Sequence, residues 1–239
     1  ADLTGQYGQK NNDLYGLIEQ HQGVVIIQPE DDMMVSFIYA SDAINCALAI
    51  GKHLKSMPDH TEFNLSLVSG RPVDEQGNNL FEETKKKVRY LSESAPSETM
   101  YLDSDTKALF EKECGSSDIK MEDFKIVSHQ QSHFLFQLFD VLNHRLPDPV
   151  FKSEHLNALL GSSKSQTYRK IKLLTGLAPN RFIQEVRLRR SLKLLKQKNK
   201  SVAEIAYDTG FNSPAYFTKV FRNRFHITPT CFSKLFLNT

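Results

Sequence analysis

The sequence holds little of what would mark an unusual protein class. Cysteine is scarce: Cys46, Cys114 and Cys231 are the three in 239 residues. They lie far apart, without metal-type spacing and without the density of a disulfide scaffold, so reduced thiols in a cytosolic protein are expected. No apolar run approaches the roughly 20 residues of a membrane span, which excludes a helical membrane protein. No secretion-signal pattern opens the chain. Net charge is slight as well, +2 at neutral pH. What remains is ordinary for a soluble globular protein, with 40% hydrophobic and 24% charged residues. The length favours two domains, each with its own core. Residue 1 is Ala rather than Met, and from this a further upstream segment is expected, such as another sensing domain.

The small net charge conceals an asymmetry. Residues 131–239 hold 18 Lys+Arg against 6 Asp+Glu, a net of +12. Residues 1–130 hold 12 against 22, a net of −10. A polyanion partner is expected for the basic part alone.

The pattern changes near residue 130. Before it, strand-like runs (VVIIQ, MMVSFIY, FNLSLVSG, TMYLD) alternate with helical stretches, an α+β or α/β pattern. After it strands vanish. "HFLFQLFDVLNHRLPDP" reads as an amphipathic helix stopped by Pro147 and Pro149. A short helix over 152–160 ends at Gly161, and another runs from about Ser163 to Leu174 before Gly176. Pro179 suits the first turn of a long helix reaching about Lys198. Ser201 and Glu204 have capping-box spacing for the next one. The boundary is expected within 127–132, giving domains of 1–128 and 131–239.

The C-terminal part repeats itself. Leu156 and Gly161 pair with Ile205 and Gly210 at an offset of 49; Thr167, Ile171, Leu177, Pro179 and Phe182 pair with Phe217, Phe221, Ile227, Pro229 and Phe232 at 50. The extra residue falls in the turn. Each copy reads as two helices around a turn, the second helix burying i and i+4 and turning polar and basic side chains outward. Such a face suits a DNA major groove. Asn212 or Ser213 can cap the second copy's outer helix, with Pro214 in its first turn. Backbone N–H groups at that end can take a phosphate. A basic helix joins the copies, with Arg181, Arg187, Arg189, Arg190, Lys193 and Lys196.

With "IAYDTGFNSPAYFTKVFRNRFHITPTCF" following that linker, residues 131–239 resemble the AraC/XylS family of transcription regulators. The resemblance implies an all-α DNA-binding domain of seven helices, two helix-turn-helix units on a linker helix. It also implies two recognition helices in adjacent major-groove segments, roughly 34 Å apart. The DNA-binding residues it implies are Ser165, Gln166, Arg169 and Lys172 in the first unit and Ser213, Tyr216, Lys219 and Arg222 in the second. Arg169 suits a guanine edge. Pro214 and Ala215 offer few hydrogen bonds, so the second unit is expected to hold phosphate more than to read bases.

The N-terminal part resembles a class III nucleotide cyclase homology domain. Gly23, "EDD" at 30–32 and "DAINCALAI" occupy that family's strand-opening glycine, metal-bearing turn and following helix. "SLVSGRPV" and "NNLFEETKKKVRYLSE" match later landmarks. The resemblance implies an α+β domain with a ferredoxin-like core and places the metal candidates at Asp2 and Asp31. An acidic hairpin tip bound to no metal fits "EDD" equally well. Active cyclases hold ribose and developing phosphate charge with an Asn and an Arg; Lys86 and Tyr90 stand there, and Ile27 stands where the base is selected. Loss of such a clamp costs orders of magnitude in rate, so no catalytic residues and no cofactor are assigned. "TKKKVR" at 84–89 could meet phosphates or form a solvated helix face.

Together these readings give a cytoplasmic bacterial transcription regulator, activator among its expected roles, with promoter DNA as partner and RNA polymerase contact expected. The N-terminal domain would sense a small-molecule effector or form a homodimer. Alternatives are residual nucleotide or metal binding, weak cyclase activity, or a pure dimerisation scaffold.

Overall fold

The computed structural model describes residues 3–27, 32–57, 62–70, 82–115 and 121–235. It divides into two compact units, 1–133 and 134–239.

The first unit begins with α1 (Leu3–Gln20), where the sequence reading had placed only a metal motif. β1 (Val24–Ile27) and β2 (Met34–Ser36) form an antiparallel pair. α2 (Ala40–Ser56), β3 (Asn64–Leu67), α3 (Glu82–Ser94), β4 (Thr99–Asp103), α4 (Ser104–Cys114) and β5 (Phe124–Val127) follow. β3, β4 and β5 make a parallel sheet in that order. α3 and α4 supply the crossovers that parallel strands require. Side chains alternate across β4. Met100 and Leu102 join the apolar core with Ile44 and Ala47 of α2 and Phe110 of α4. The other β4 face carries Tyr101, beside Lys125 of β5, and Asp103, paired at 2.5 Å with Lys87 of α3. A central strand buried on both faces is the rule for parallel sheets.

The expected ferredoxin-like core is not assembled by the described strands, which split into an antiparallel pair and a separate parallel sheet. Much of the sequence behind that expectation, 71–81 and 28–31, lies outside the described residues. β5 had no place in the sequence reading because its four residues, FKIV, carry an exposed Ile126 and a lysine.

The second unit is helical throughout its described residues. α5 (His129–Arg145) begins in the first unit and carries Leu138, Phe139 and Leu142 into the second unit's core. α6 (Ser153–Leu159), α7 (Lys164–Thr175), α8 (Pro179–Gln197), α9 (Val202–Asp208), α10 (Pro214–Phe225) and α11 (Pro229–Leu235) complete the expected seven helices. No helix among the described residues is long and apolar enough to cross a membrane. Pro179 and Pro229 occupy first-turn positions of α8 and α11, where no amide is needed. Ser201 and Glu204 form the expected capping box of α9, at 3.2 and 2.7 Å.

The repeat is structural down to its turns. In the first, Gly161 and Ser162 donate to Ala158 and Asn157; in the second, Gly210 and Phe211 donate to Tyr207 and Ala206. The outer helices then start from Ser163 and Ser213. Asn212 is therefore the inserted residue. Both turn glycines have positive φ, +57° at Gly161 and +83° at Gly210. Their surroundings differ. A Cβ on Gly161 would meet nothing within 4 Å, whereas one on Gly210 would lie 2.2 Å from the Leu146 carbonyl oxygen and 2.8 Å from Arg187 Nε. Gly161→Ala should cost about 1 kcal/mol, the left-handed penalty alone. Gly210→Ala adds a clash with backbone and should cost about 3 kcal/mol or more. Denaturant midpoints of the two variants check the difference.

One contact in the first unit gives a pH signature. Tyr39, preceding α2, makes no side-chain cap. Glu113 of α4 caps α2 instead, accepting from the amides of Ala40 at 3.0 Å and Ser41 at 2.9 Å. Desolvation pushes its carboxyl up, but the bonds from Ser41 and Ala40 outweigh this and hold it below its ordinary pKa. A depressed carboxylate stabilises the fold above its unfolded pKa and loses that contribution as pH falls through its folded pKa. Glu113→Gln should lower the thermal midpoint at neutral pH. Its gap to wild type should narrow as the pH falls out of the ordinary glutamate range and through the depressed folded pKa.

Candidate nucleic-acid interface

Two outward helix faces define the candidate site. On α7, Thr167 and Ile171 are buried while Ser165, Gln166, Arg169 and Lys172 are exposed. On α10, Phe217 and Phe221 are buried while Tyr216, Lys219 and Arg222 are exposed. The i, i+4 spacing forces this separation, because it returns to one helix face in about one turn. Arg169 and Lys172 of α7 sit at the same repeat positions as Lys219 and Arg222 of α10, so both faces offer cations at matching places.

The faces are held from beneath by different cores. Under α10 an aromatic series runs from Phe211 to Phe217 to Phe221 and on to Phe225 and Phe232, with ring centroids 4.7–5.9 Å apart. It packs on Leu188 and Leu195 of α8 with Ile205 of α9. Under α7 the equivalent of Phe217 is Thr167, whose buried hydroxyl has no partner among the described residues.

Not every sequence-assigned residue is equally available. Ser165, Arg169, Lys219 and Arg222 are exposed and make no side-chain bond among the described residues. Ser213 spends its hydroxyl capping α10, accepting from the Tyr216 amide at 3.2 Å; Asn212, the other candidate cap, is exposed. Gln166 completes a capping box with Ser163, its side-chain oxygen accepting from the Ser163 amide at 3.3 Å. Lys172 donates to the Gly176 carbonyl at 2.5 Å, closing the C-terminus of α7. Tyr216 turns its hydroxyl to Gln184 of α8, accepting from Nε2 at 3.1 Å. Asp2 and Asp31 lie outside the described residues.

The basic linker α8 spends several of its cations within the unit. Arg187 is half-buried and donates to three main-chain carbonyls, Leu146 at 3.2 Å, Asp148 at 2.8 Å and Phe151 at 3.3 Å. Burial pulls its guanidinium down from the ordinary value, against the opposing charge of Asp148. Arg189 pairs with Glu185 at 3.1 Å, and Arg190 bonds to Asn143. In the first unit, "TKKKVR" is similarly engaged. Lys85 pairs with Glu82 at 2.9 Å, Lys87 with buried Asp103, and Lys86 lies 5.5 Å over the ring of buried Tyr90. Arg189–Glu185, Lys85–Glu82 and Lys86–Tyr90 have ordinary helix spacing, whereas the partners of Arg187, Arg190 and Lys87 are backbone carbonyls or residues distant in sequence that helix periodicity does not show.

Residues 156–234 match a family model described as a helix-turn-helix domain. The chain is 34% identical over 104 residues to Histidine kinase P4 of Formosa agariphila, covering 44% of this chain and 8% of that one. It is 32% identical over 88 residues to the HTH-type transcriptional regulator MtrA of Neisseria gonorrhoeae, covering 37% and 29%. A solved transcriptional regulator from Chromobacterium violaceum, titled as an AraC-type DNA-binding domain-containing protein, aligns over 44% of this chain and 93% of that one. Its identity is 28% and its TM-score 0.41. The chain spans less than a third of each of the two curated relatives. The C-terminal unit carries a DNA-binding helix-turn-helix domain.

Arg187 is the cation whose loss should unfold rather than unbind. Arg187→Met strands the Leu146 and Phe151 carbonyls and leaves that of Asp148 with the Phe151 amide alone, and should cost about 2–3 kcal/mol. Arg222→Met, on the exposed face, should stay within about 0.5 kcal/mol of wild type. Urea titration of both variants checks the contrast.

Proposed function

We propose that the protein is a sequence-specific, DNA-binding transcription regulator whose two recognition helices, α7 and α10, enter adjacent major-groove segments of promoter DNA. The observation that carries this reading is the duplicated helix-turn-helix. Two copies share one turn geometry and one linker, and each presents a cation at the same outward position, Arg169 and Lys219. Similarity to MtrA, a transcriptional regulator, supports it. Ser165 and Arg169 are assigned to base edges. Lys219 and Arg222 are assigned to phosphates, with the N-terminal amides of α10 beside them. Gln166, Lys172, Ser213 and Tyr216 are assigned a share in the interface after giving one bond each to holding the helices. The first unit is assigned sensing of an effector or dimerisation, with RNA polymerase as the regulator's further partner and the cytoplasm as its place. Joining two copies would raise affinity through effective concentration without any new base contact.

Selection from a random duplex library, repeated across salt concentrations, tests the reading. The expected result is a motif of two blocks whose centres lie about 10 base pairs apart. Arg169→Ala should lose about 1–3 kcal/mol and relax selectivity at one position. Lys219→Ala should weaken all sequences alike and reduce the salt slope by about one. Retention without any motif would leave a basic domain that only holds phosphates.

A further inference from the structure

We propose that Gln184 and Glu185, neighbours on α8, are positioning residues that brace α10 at both ends. They thereby set the spacing between the two DNA blocks the protein reads. The proposal rests on the DNA-reading function above.

The two outer helices reach α8 by unequal routes. α7 runs into α8 through residues 176–178, so the chain itself limits its angle. α10 begins 17 residues beyond the end of α8, after α9 and its turn. Its attitude to α8 must come from non-covalent contacts. The core between them is a stack of aromatic and aliphatic side chains, and hydrophobic attraction is non-directional. Packing of that kind sets which face of α10 turns inward, but it resists a small change of angle less sharply than a directional bond does.

Directional bonds supply what the core lacks. In the first turn of α10, Tyr216 accepts from Gln184 at 3.1 Å; Gln184 in turn accepts from Arg181 at 3.3 Å. In the last turn, Arg224 donates through Nε to both oxygens of Glu185, at 3.2 and 3.0 Å. Glu185 also accepts from Arg189 at 3.1 Å, and its side chain is 12% exposed. Tyr216 and Arg224 stand eight residues apart, about 12 Å along the helix axis. One bond would leave a pivot. Two bonds that hold α10 at residues eight apart, anchored at adjacent residues of a single helix, fix an angle. Moving a block by one base pair displaces it by about 3.4 Å and turns it about 35° around the duplex. A braced α10 cannot follow that turn, whereas an unbraced one can.

The test uses the whole chain and the two-block duplex obtained by selection, with the spacing changed by −1, 0 and +1 base pair. Wild type should lose at least about tenfold in affinity for either displaced spacing, as for a mismatched position. The double variant Gln184→Ala with Glu185→Ala should lose less than about threefold, while binding a duplex with only the α7 block as wild type does. Glu185→Gln keeps the shape and one acceptor oxygen and should restore most of the spacing penalty. Arg224→Met breaks the brace from the other side, so a double variant that fails to fold does not end the test. A wild-type spacing penalty retained in Arg224→Met or in the double variant overturns the brace while leaving the DNA reading intact. Failure of the wild-type protein to select two blocks overturns both.

Discussion

The helical unit is organised around Arg187. Its guanidinium reaches three carbonyls of the segment between α5 and α6, at Leu146, Asp148 and Phe151. Carbonyls that follow a helix end have no intrahelical donor, and water would otherwise have to satisfy them. One planar cation with five donors does so from a neighbouring helix. Gly210 then lies directly against the Leu146 carbonyl and Arg187 Nε, in a gap that admits no Cβ. The α5–α6 connection, the linker helix and the turn of the second repeat thus meet at a single side chain. A substitution at any of the three places disturbs the others.

This junction explains why two copies of one sequence pattern tolerate change unequally. Gly161 and Gly210 look equivalent in sequence and share a left-handed backbone, yet only Gly210 is hemmed in. Thr167 and Phe217 share a position, yet Phe217 belongs to an aromatic series and Thr167 buries an unpartnered hydroxyl. The prolines in helix first turns, the Ser201–Glu204 capping box and the inward i, i+4 pairs were legible as local rules spanning less than two helical turns, and the repeat as their recurrence about 50 residues on. The destination of Arg187 and Arg224 was not legible, since a basic residue on a helix reads as solvated until a distant acceptor is seen. Gln184 and Glu185 were passed over for the same reason. Nothing in a linker sequence says which of its polar residues face a helix that begins 17 residues later.

The first unit repeats that lesson with different chemistry. Its alternation of strands and helices was readable, but sheet membership depends on pairing, and pairing is non-local. Leu65 faces Met100 across β3 and β4, and Leu102 faces Ile126 across β4 and β5. No pattern within one strand specifies those partners. α2 likewise receives its N-terminal cap from Glu113, over 70 residues away. The capping rule searches only three residues forward. A resemblance carries such long-range information only where the matching residues are themselves described. Here "EDD" and the segment 71–81 fall largely outside.

The charge asymmetry acquires a sharper meaning once partners are assigned. The segment 131–239 has a net charge of +12, but its cations do not act alike. Arg187 bonds to neutral carbonyls rather than to a carboxylate, with Asp148 as the opposing charge nearby, so it still contributes to a field felt beyond contact distance. Arg189 and Arg224 share Glu185, which cancels much of their field while fixing geometry. Arg169, Lys219 and Arg222 stand on the outer faces, where they can displace counterions from a phosphate backbone. In the proposed function, attraction of a polyanion would draw on the whole unit, including arginines that need not touch it, while recognition would draw on a few residues per helix. An internal carboxylate such as Glu185, which lowers the total charge, serves recognition better than another exposed cation would, because a helix must be held at one angle before its outward side chains can distinguish one sequence from another.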